Sequence, residues 1–92
     1  MDKKIVEQIK KILEKNQVTK AAVFGSFARG ESKKDSDIDL VIKPPENFTL
    51  LDVIGLKNEL EDSLKRDVDL ITFDSMNKRI KASILREMKV VV

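Results

Sequence analysis

The sequence predicts an α/β, or α+β, sandwich in which a small mixed sheet of three or four strands is flanked by helices. Three observations support this. Apolar residues recur at helical spacing from Ile5 to Leu13 and from Leu50 to Leu64, while short apolar runs typical of strands occupy 18–24, 37–43 and 68–73. Helical and extended stretches alternate along the whole chain. Gly25 and the pair Pro44-Pro45 interrupt the pattern where an element must turn or stop.

In order, Asp2 to about Lys15 reads as an amphipathic helix with Asp2 as N-cap, and Ile5, Ile9, Ile12 and Leu13 form its core stripe. Asn16-Gln17 ends it. Val18 to Phe24 is the first strand, and Ala21-Ala22 suggests close packing beneath a helix. Gly25 and Ser26 then open a short helix. Glu31 to Ser36 is a polar loop, with Lys33 and Lys34 read as solvated side chains that could also lean over a polyphosphate.

Asp37 to Lys43 is the second strand, and Pro44-Pro45 stops it because proline cannot donate to a sheet ladder. Thr49 with Asp52 resembles a capping box, opening a helix through about Leu64. Leu50, Val53, Ile54, Leu56, Leu60 and Leu64 are its expected buried side, and Gly55 weakens it slightly. Val68 to Phe73 is the third strand, directing Val68, Leu70 and Thr72 one way and Asp69 and Ile71 the other. Asp74 or Ser75 is expected to cap a last helix with Ile80, Ile84, Leu85 and Met88 as apolar positions, followed by Val90-Val91-Val92.

At 92 residues, positions 1–92 are expected to form a single domain with one modest core, so an acceptor-binding domain would have to come from elsewhere. With 18 basic and 16 acidic side chains the net charge is only +2, so no global field favours nucleic acid or a membrane surface. The chain has no Cys and no His, which excludes disulfides, thiolate or imidazole metal sites and Ser-His-Asp triads. No stretch approaches membrane-spanning length, and a cytoplasmic location is expected.

Chemistry must therefore come from carboxylates, hydroxyls, Lys, Arg and a borrowed metal. Gly25 allows close approach of backbone N–H groups to a bound group, and Ser26 adds a hydroxyl at a helix start, which together suggest a phosphate seat. Gly25 to Ser32 approaches a Walker A loop, but Glu31 stands where the phosphate-binding Lys must be, which argues against that class. Ser26 as a nucleophile lacks a base and reads better as a phosphate ligand; an ordinary helix N-cap is the structural alternative, and the two roles are compatible.

Asp-x-Asp occurs three times, as Asp35/Asp37, Asp37/Asp39 and Asp67/Asp69, so spacing alone decides little. Asp37 and Asp39 head an apolar strand, where an uncompensated charge is costly; a turn residue and a strand-edge solubiliser are the structural alternatives. If the Asp69 strand lies beside theirs, Asp39 and Asp69 can sit across from each other with Cβ atoms roughly 5 Å apart. Carboxylates that close repel by about 3 kcal/mol at an effective dielectric near 20, and cations between them relieve it. Two divalent ions about 4 Å apart would suit in-line phosphoryl or nucleotidyl transfer.

Gly25-Ser26, then Asp37-x-Asp39, then Asp69 on a later strand resembles the nucleotidyltransferase superfamily of DNA polymerase beta type. Gly25-Ser-Phe-Ala-Arg-Gly30 and Ser36-Asp-Ile-Asp-Leu40 are most similar to its minimal nucleotidyltransferase (MNT) members, and the likeness extends to Leu56–Thr72 and to Ile84 and Glu87. The resemblance implies a polymerase beta-like nucleotidyltransferase fold and metal-dependent transfer of AMP from ATP to a hydroxyl. It assigns Gly25, Ser26 and Arg29 to the nucleotide, Asp37 and Asp39 to two Mg²⁺ ions, and Asp69 to one metal and to deprotonating the acceptor. It also implies a HEPN ribonuclease toxin as protein partner and acceptor. No direct nucleic-acid or membrane contact is expected, and a homo-oligomer stays open. A small-molecule nucleotidyltransferase and a non-catalytic module that masks a toxin are the alternatives.

Overall fold

The computed structural model describes residues 3–30 and 37–92. The helix α1 (Lys3–Lys15) is followed by β1 (Lys20–Phe24), the single turn α2 (Gly25–Ala28) and β2 (Ile38–Lys43). Then come α3 (Leu50–Leu64), β3 (Val68–Thr72), a 3₁₀ turn (Phe73–Ser75), α4 (Lys78–Glu87) and the short β4 (Lys89–Val90). The sheet has the order β3-β2-β1-β4, with β1 antiparallel to both β2 and β4 and β2 parallel to β3. Helix α3 is the crossover that a parallel pair requires.

Strand alternation divides the sheet into two unequal faces. Ala21, Val23, Ile38, Leu40, Ile42 and Val68 lie on the larger, buried with Ile9 and Leu13 of α1 and Leu56 and Leu60 of α3. Ala22 and Val41 lie on the other with Ile84 of α4, fringed by the half-buried Phe24, Ile71, Phe73 and Met88. The second face has the thinner cover, and charged side chains can reach solvent there.

Local chemistry sets the helix ends. Gln17 adopts φ 64° after α1, while the Asn16 side-chain amide donates to the Ile12 carbonyl at 2.8 Å and to Glu59 at 3.2 Å. The expected capping box opens α3: the Thr49 N–H donates to Asp52 Oδ2 at 2.8 Å, and the Asp52 N–H donates to Thr49 Oγ1 at 3.3 Å. At the far end Lys65 takes the left-handed conformation, and the Glu61 carboxylate accepts the Val68 N–H at 2.9 Å, fastening α3 to β3.

Several expectations need correction. Leu50, at 75% exposed, and Ile54, at 44%, lie outside the core, because at about 100° per residue they are turned away from the stripe of Leu56, Leu60 and Leu64, the buried residues of α3. The first strand begins at Lys20 and the third ends at Thr72, where the backbone tightens into the 3₁₀ turn. That turn holds Asp74 and Ser75, so neither caps α4; the Lys81 N–H returns to the Asn77 carbonyl instead. Leu85 is 48% exposed. Val90 is exposed on edge strand β4, whereas Val91 is buried against β1, the Val91 N–H donating to the Ala21 carbonyl at 3.0 Å. Asp2, the 31–36 loop with Ser32, Lys33, Lys34 and Asp35, and the Ile80 side chain lie outside the described residues.

Candidate active site

The antiparallel register of β1 and β2 sets Phe24 across from Asp39, and the parallel register of β2 and β3 sets Asp39 across from Asp69. Asp39 thus lies between the end of β1 and Asp69. Side-chain alternation puts Asp39 and Asp69 on the thinly covered face, beyond Val41 and Ile71. Asp37, two residues earlier, lies in the lead-in to β2. Asp37 and Asp69 are exposed, and Asp39 is half-buried.

Asp39 is electrostatically distinct. Partial burial raises its pKa first, the carboxylates of Asp69 and Asp37 raise it further, and the Arg29 guanidinium pulls it back in part. Four sequence-selected residues thus share one field. Among the described residues no three carboxylates are drawn together tightly enough to hold an ion as they stand.

Gly25 is required sterically. Its φ is +70°, and a Cβ built there would overlap Oδ2 of Asp39, so the carboxylate rests against bare backbone. Gly30 has a similar φ of +74°, but among the described residues nothing lies within 4 Å of a built Cβ. Ser26 is not the helix N-cap: Phe24 occupies that position without any side-chain bond, and Ser26 lies inside the single turn α2, half-buried beside Gly25. The turn is held by burial of Phe27 and Ala28, the Phe27 ring also lying 5.9 Å from the Arg66 guanidinium.

Arg29 is the C-cap of α2: its N–H donates to the Gly25 carbonyl, and the Gly30 N–H donates to the Phe27 carbonyl, both at 3.2 Å. Its Nη1 donates to Oε2 of Glu87, the last residue of α4, at 3.2 Å. Sequence reasoning found Arg29 but did not connect it with Glu87, 58 positions away. The local signal was an acid in the last turn of a helix, where cations are favoured. A hollow of about 360 Å³ lined by Glu61, Lys65, Arg66 and Asp67 sits at the α3–β3 corner, and none of the three aspartates lines it.

The family model described as Polymerase beta, Nucleotidyltransferase matches residues 7–92. A protein of Methanocaldococcus jannaschii, provisionally named a protein adenylyltransferase, is 43% identical over 83 residues, spanning 90% of this chain and 89% of its own. The protein adenylyltransferase MntA of Thermococcus cleftensis is 39% identical over 79 residues, covering 86% of this chain and 80% of its own. A structure provisionally described as a minimal nucleotidyltransferase superposes with TM-score 0.80 at 36% identity, over 91% of this chain and 86% of that one. A Shewanella oneidensis complex of a tri-AMPylated HEPN toxin with an MNT antitoxin is similar in fold, with TM-score 0.79 at 21% identity over 100% of this chain and 72% of that one.

Proposed function

The chain belongs to the polymerase beta nucleotidyltransferase family and is a nucleotidyltransferase, and from that premise we propose that it transfers AMP from ATP to a hydroxyl of a partner protein. The observation that carries this is the juxtaposition of Asp39 with Asp69 in adjacent parallel strands, against a glycine that must be glycine. The names borne by relatives covering at least four-fifths of the chain support a protein as acceptor. The partner class we infer is a HEPN toxin, as in the Shewanella complex, and the setting is the cytoplasm, where ATP is available.

The donor set fits hard divalent cations. Asp37, Asp39 and Asp69 offer only carboxylate oxygens, and Asp39 already carries the electrostatic strain of two like neighbours, which Mg²⁺ would relieve. Asp37 and Asp39 would hold both ions and Asp69 one of them. When bound, the ions would neutralise phosphate charge and lower the acidity barrier of the acceptor hydroxyl.

The chain's own groups have separable tasks. The backbone at Gly25 and the Ser26 hydroxyl hold the triphosphate, with Arg29 at the end of the same turn meeting its negative charge. Asp69, exposed on edge strand β3, receives the proton as the acceptor oxygen bonds to the α-phosphorus. The bond from that phosphorus to the bridging oxygen breaks, and pyrophosphate leaves. The open face beside Asp69 admits a macromolecular hydroxyl.

The test is incubation of the purified chain with ATP, Mg²⁺ and a co-encoded HEPN protein, read by intact mass. The expected result is one or more AMP additions to the partner, lost in Asp37→Asn, Asp39→Asn and Asp69→Asn. Neutralisation of the partner by Asp39→Asn protein with no mass increase would favour masking.

A further inference from the structure

We propose that Glu87 is a positioning residue for the nucleotide: it holds the Arg29 guanidinium at the mouth of the site, directed to the triphosphate and away from the Asp39 carboxylate. This rests on the assignment of Arg29 to the nucleotide. The contact is direct, Arg29 Nη1 donating to Glu87 Oε2 at 3.2 Å, and it spans two elements that pack together, α2 and α4.

Three features bear on the role of this pair. First, Glu87 is locally misplaced. It ends α4, where the helix dipole disfavours an anion, in a segment whose other charges are Lys78, Arg79, Lys81 and Arg86. A residue that breaks a local rule implies a compensating partner, and Arg29 is that partner. Second, both side chains are nearly half exposed, 43% for Arg29 and 47% for Glu87, so the pair adds little to fold stability. Third, Arg29 follows a helix of only four residues, whose geometry depends on tertiary anchors because one turn cannot sustain itself.

The position of the guanidinium has consequences because Arg29 lies within the field of Asp39. An arginine is long and its fork binds carboxylate and phosphate equally well. The Asp39 carboxylate is one acceptor within the field of that fork. An Arg29–Asp39 pair would occupy a metal ligand and withdraw the cation from the triphosphate at the same time. The contact at Nη1 uses one of the guanidinium's five N–H donors.

The experiment measures the dissociation constant of Mg²⁺–AMP-PNP by calorimetry, with melting temperature in parallel, for the wild type, Arg29→Ala, Glu87→Ala, Glu87→Gln and the charge exchange Arg29→Glu/Glu87→Arg. Glu87→Ala is expected to weaken binding by about tenfold, the low end of losses seen when an outer-shell partner is removed, with its melting temperature nearly unchanged. Glu87→Gln keeps an acceptor oxygen for Arg29 and should bind close to wild type. The exchange should keep the pair and the melting temperature yet lose nucleotide binding, because an anion then faces the phosphates. Wild-type affinity in Glu87→Ala alongside weak binding in Arg29→Ala overturns the role of Glu87 and leaves the proposed reaction standing. Wild-type affinity in Arg29→Ala removes the premise itself.

Discussion

Replacing Gly25 by Ala separates backbone strain from damage to the site, because Gly30 offers a matched control. Both glycines hold φ above +70° or close to it, at +70° and +74°. An alanine in that region costs about 1–2 kcal/mol at either position. At Gly25 the new methyl group also overlaps Asp39 Oδ2, while at Gly30 it meets nothing within 4 Å among the described residues. Turning the Asp39 side chain away from its rotamer adds about 0.5–1.5 kcal/mol. Gly25→Ala should therefore be destabilised by about 1.5–3.5 kcal/mol and Gly30→Ala by about 1–2 kcal/mol. In a domain of this size each kcal/mol moves the melting temperature by about 4–8 °C, so urea and thermal unfolding resolve the difference. Function should divide more sharply: Gly25→Ala loses stabilisation by Mg²⁺–AMP-PNP, and Gly30→Ala keeps it. Gly25→Ala combined with Asp39→Ala should cost less than the sum of the two, since the second change removes the overlap. Equal stability losses in the two glycine variants, with nucleotide stabilisation retained in both, would refute the contact between Gly25 and Asp39 as the cause.

Three further predictions concern the scaffold and the charge cluster. Gly55 lies inside α3 with nothing within 4 Å of a built Cβ among the described residues, so Gly55→Ala should stabilise the protein by about 0.5–1 kcal/mol in urea unfolding, and a loss would show that the exposed side of α3 is not free. Hydrogen bonds from the Val68 N–H and the Lys57 ammonium hold the Glu61 pKa below its ordinary 4.5. Its folded value is the lower one, so its contribution is complete above 4.5 and is lost as pH falls through that lowered value; the stability gap between wild type and Glu61→Ala should shrink from about pH 7 to about pH 3, and a constant gap would count against it. Asp37→Asn removes one charge that raises the Asp39 pKa, so the ligand-free variant should melt no lower than wild type while losing most of the Mg²⁺–ATP shift. A variant that kept the full shift would show that Asp37 is not a ligand.

The elements that position the site were legible because their signals are local. Thr49 and Asp52 mark the start of α3 with a two-way bond between residues three apart, and a helix between two apolar strands is the connection a parallel pair needs, which sets Asp69 beside Asp39. Period-two alternation then decides the face. What was not legible depended on partners distant in sequence. Leu50 and Ile54 are four residues apart and form a stripe of their own, turned by about 80–120° from that of Leu56, Leu60 and Leu64, and the apolar pattern of a helix rich in Leu and Ile does not say which stripe meets the sheet. The tightening at Phe73–Ser75 displaced the last helix start from Asp74 or Ser75 to the region of Asn77. The Arg29–Glu87 pair joins a glycine turn to the end of the last helix, and no spacing rule predicts it.

The most direct test is a crystal structure of the protein with Mn²⁺ and AMP-PNP, with the ions located by anomalous scattering. The expected result is metal coordinated by Asp37 and Asp39, with Asp69 ligating one ion and oxygens about 2.1–2.2 Å away, and with the triphosphate against Gly25 and Ser26. Metal and nucleotide bound elsewhere, or Asp69 left outside coordination distance in the loaded protein, would contradict the assignment of the β2–β3 register as the catalytic centre.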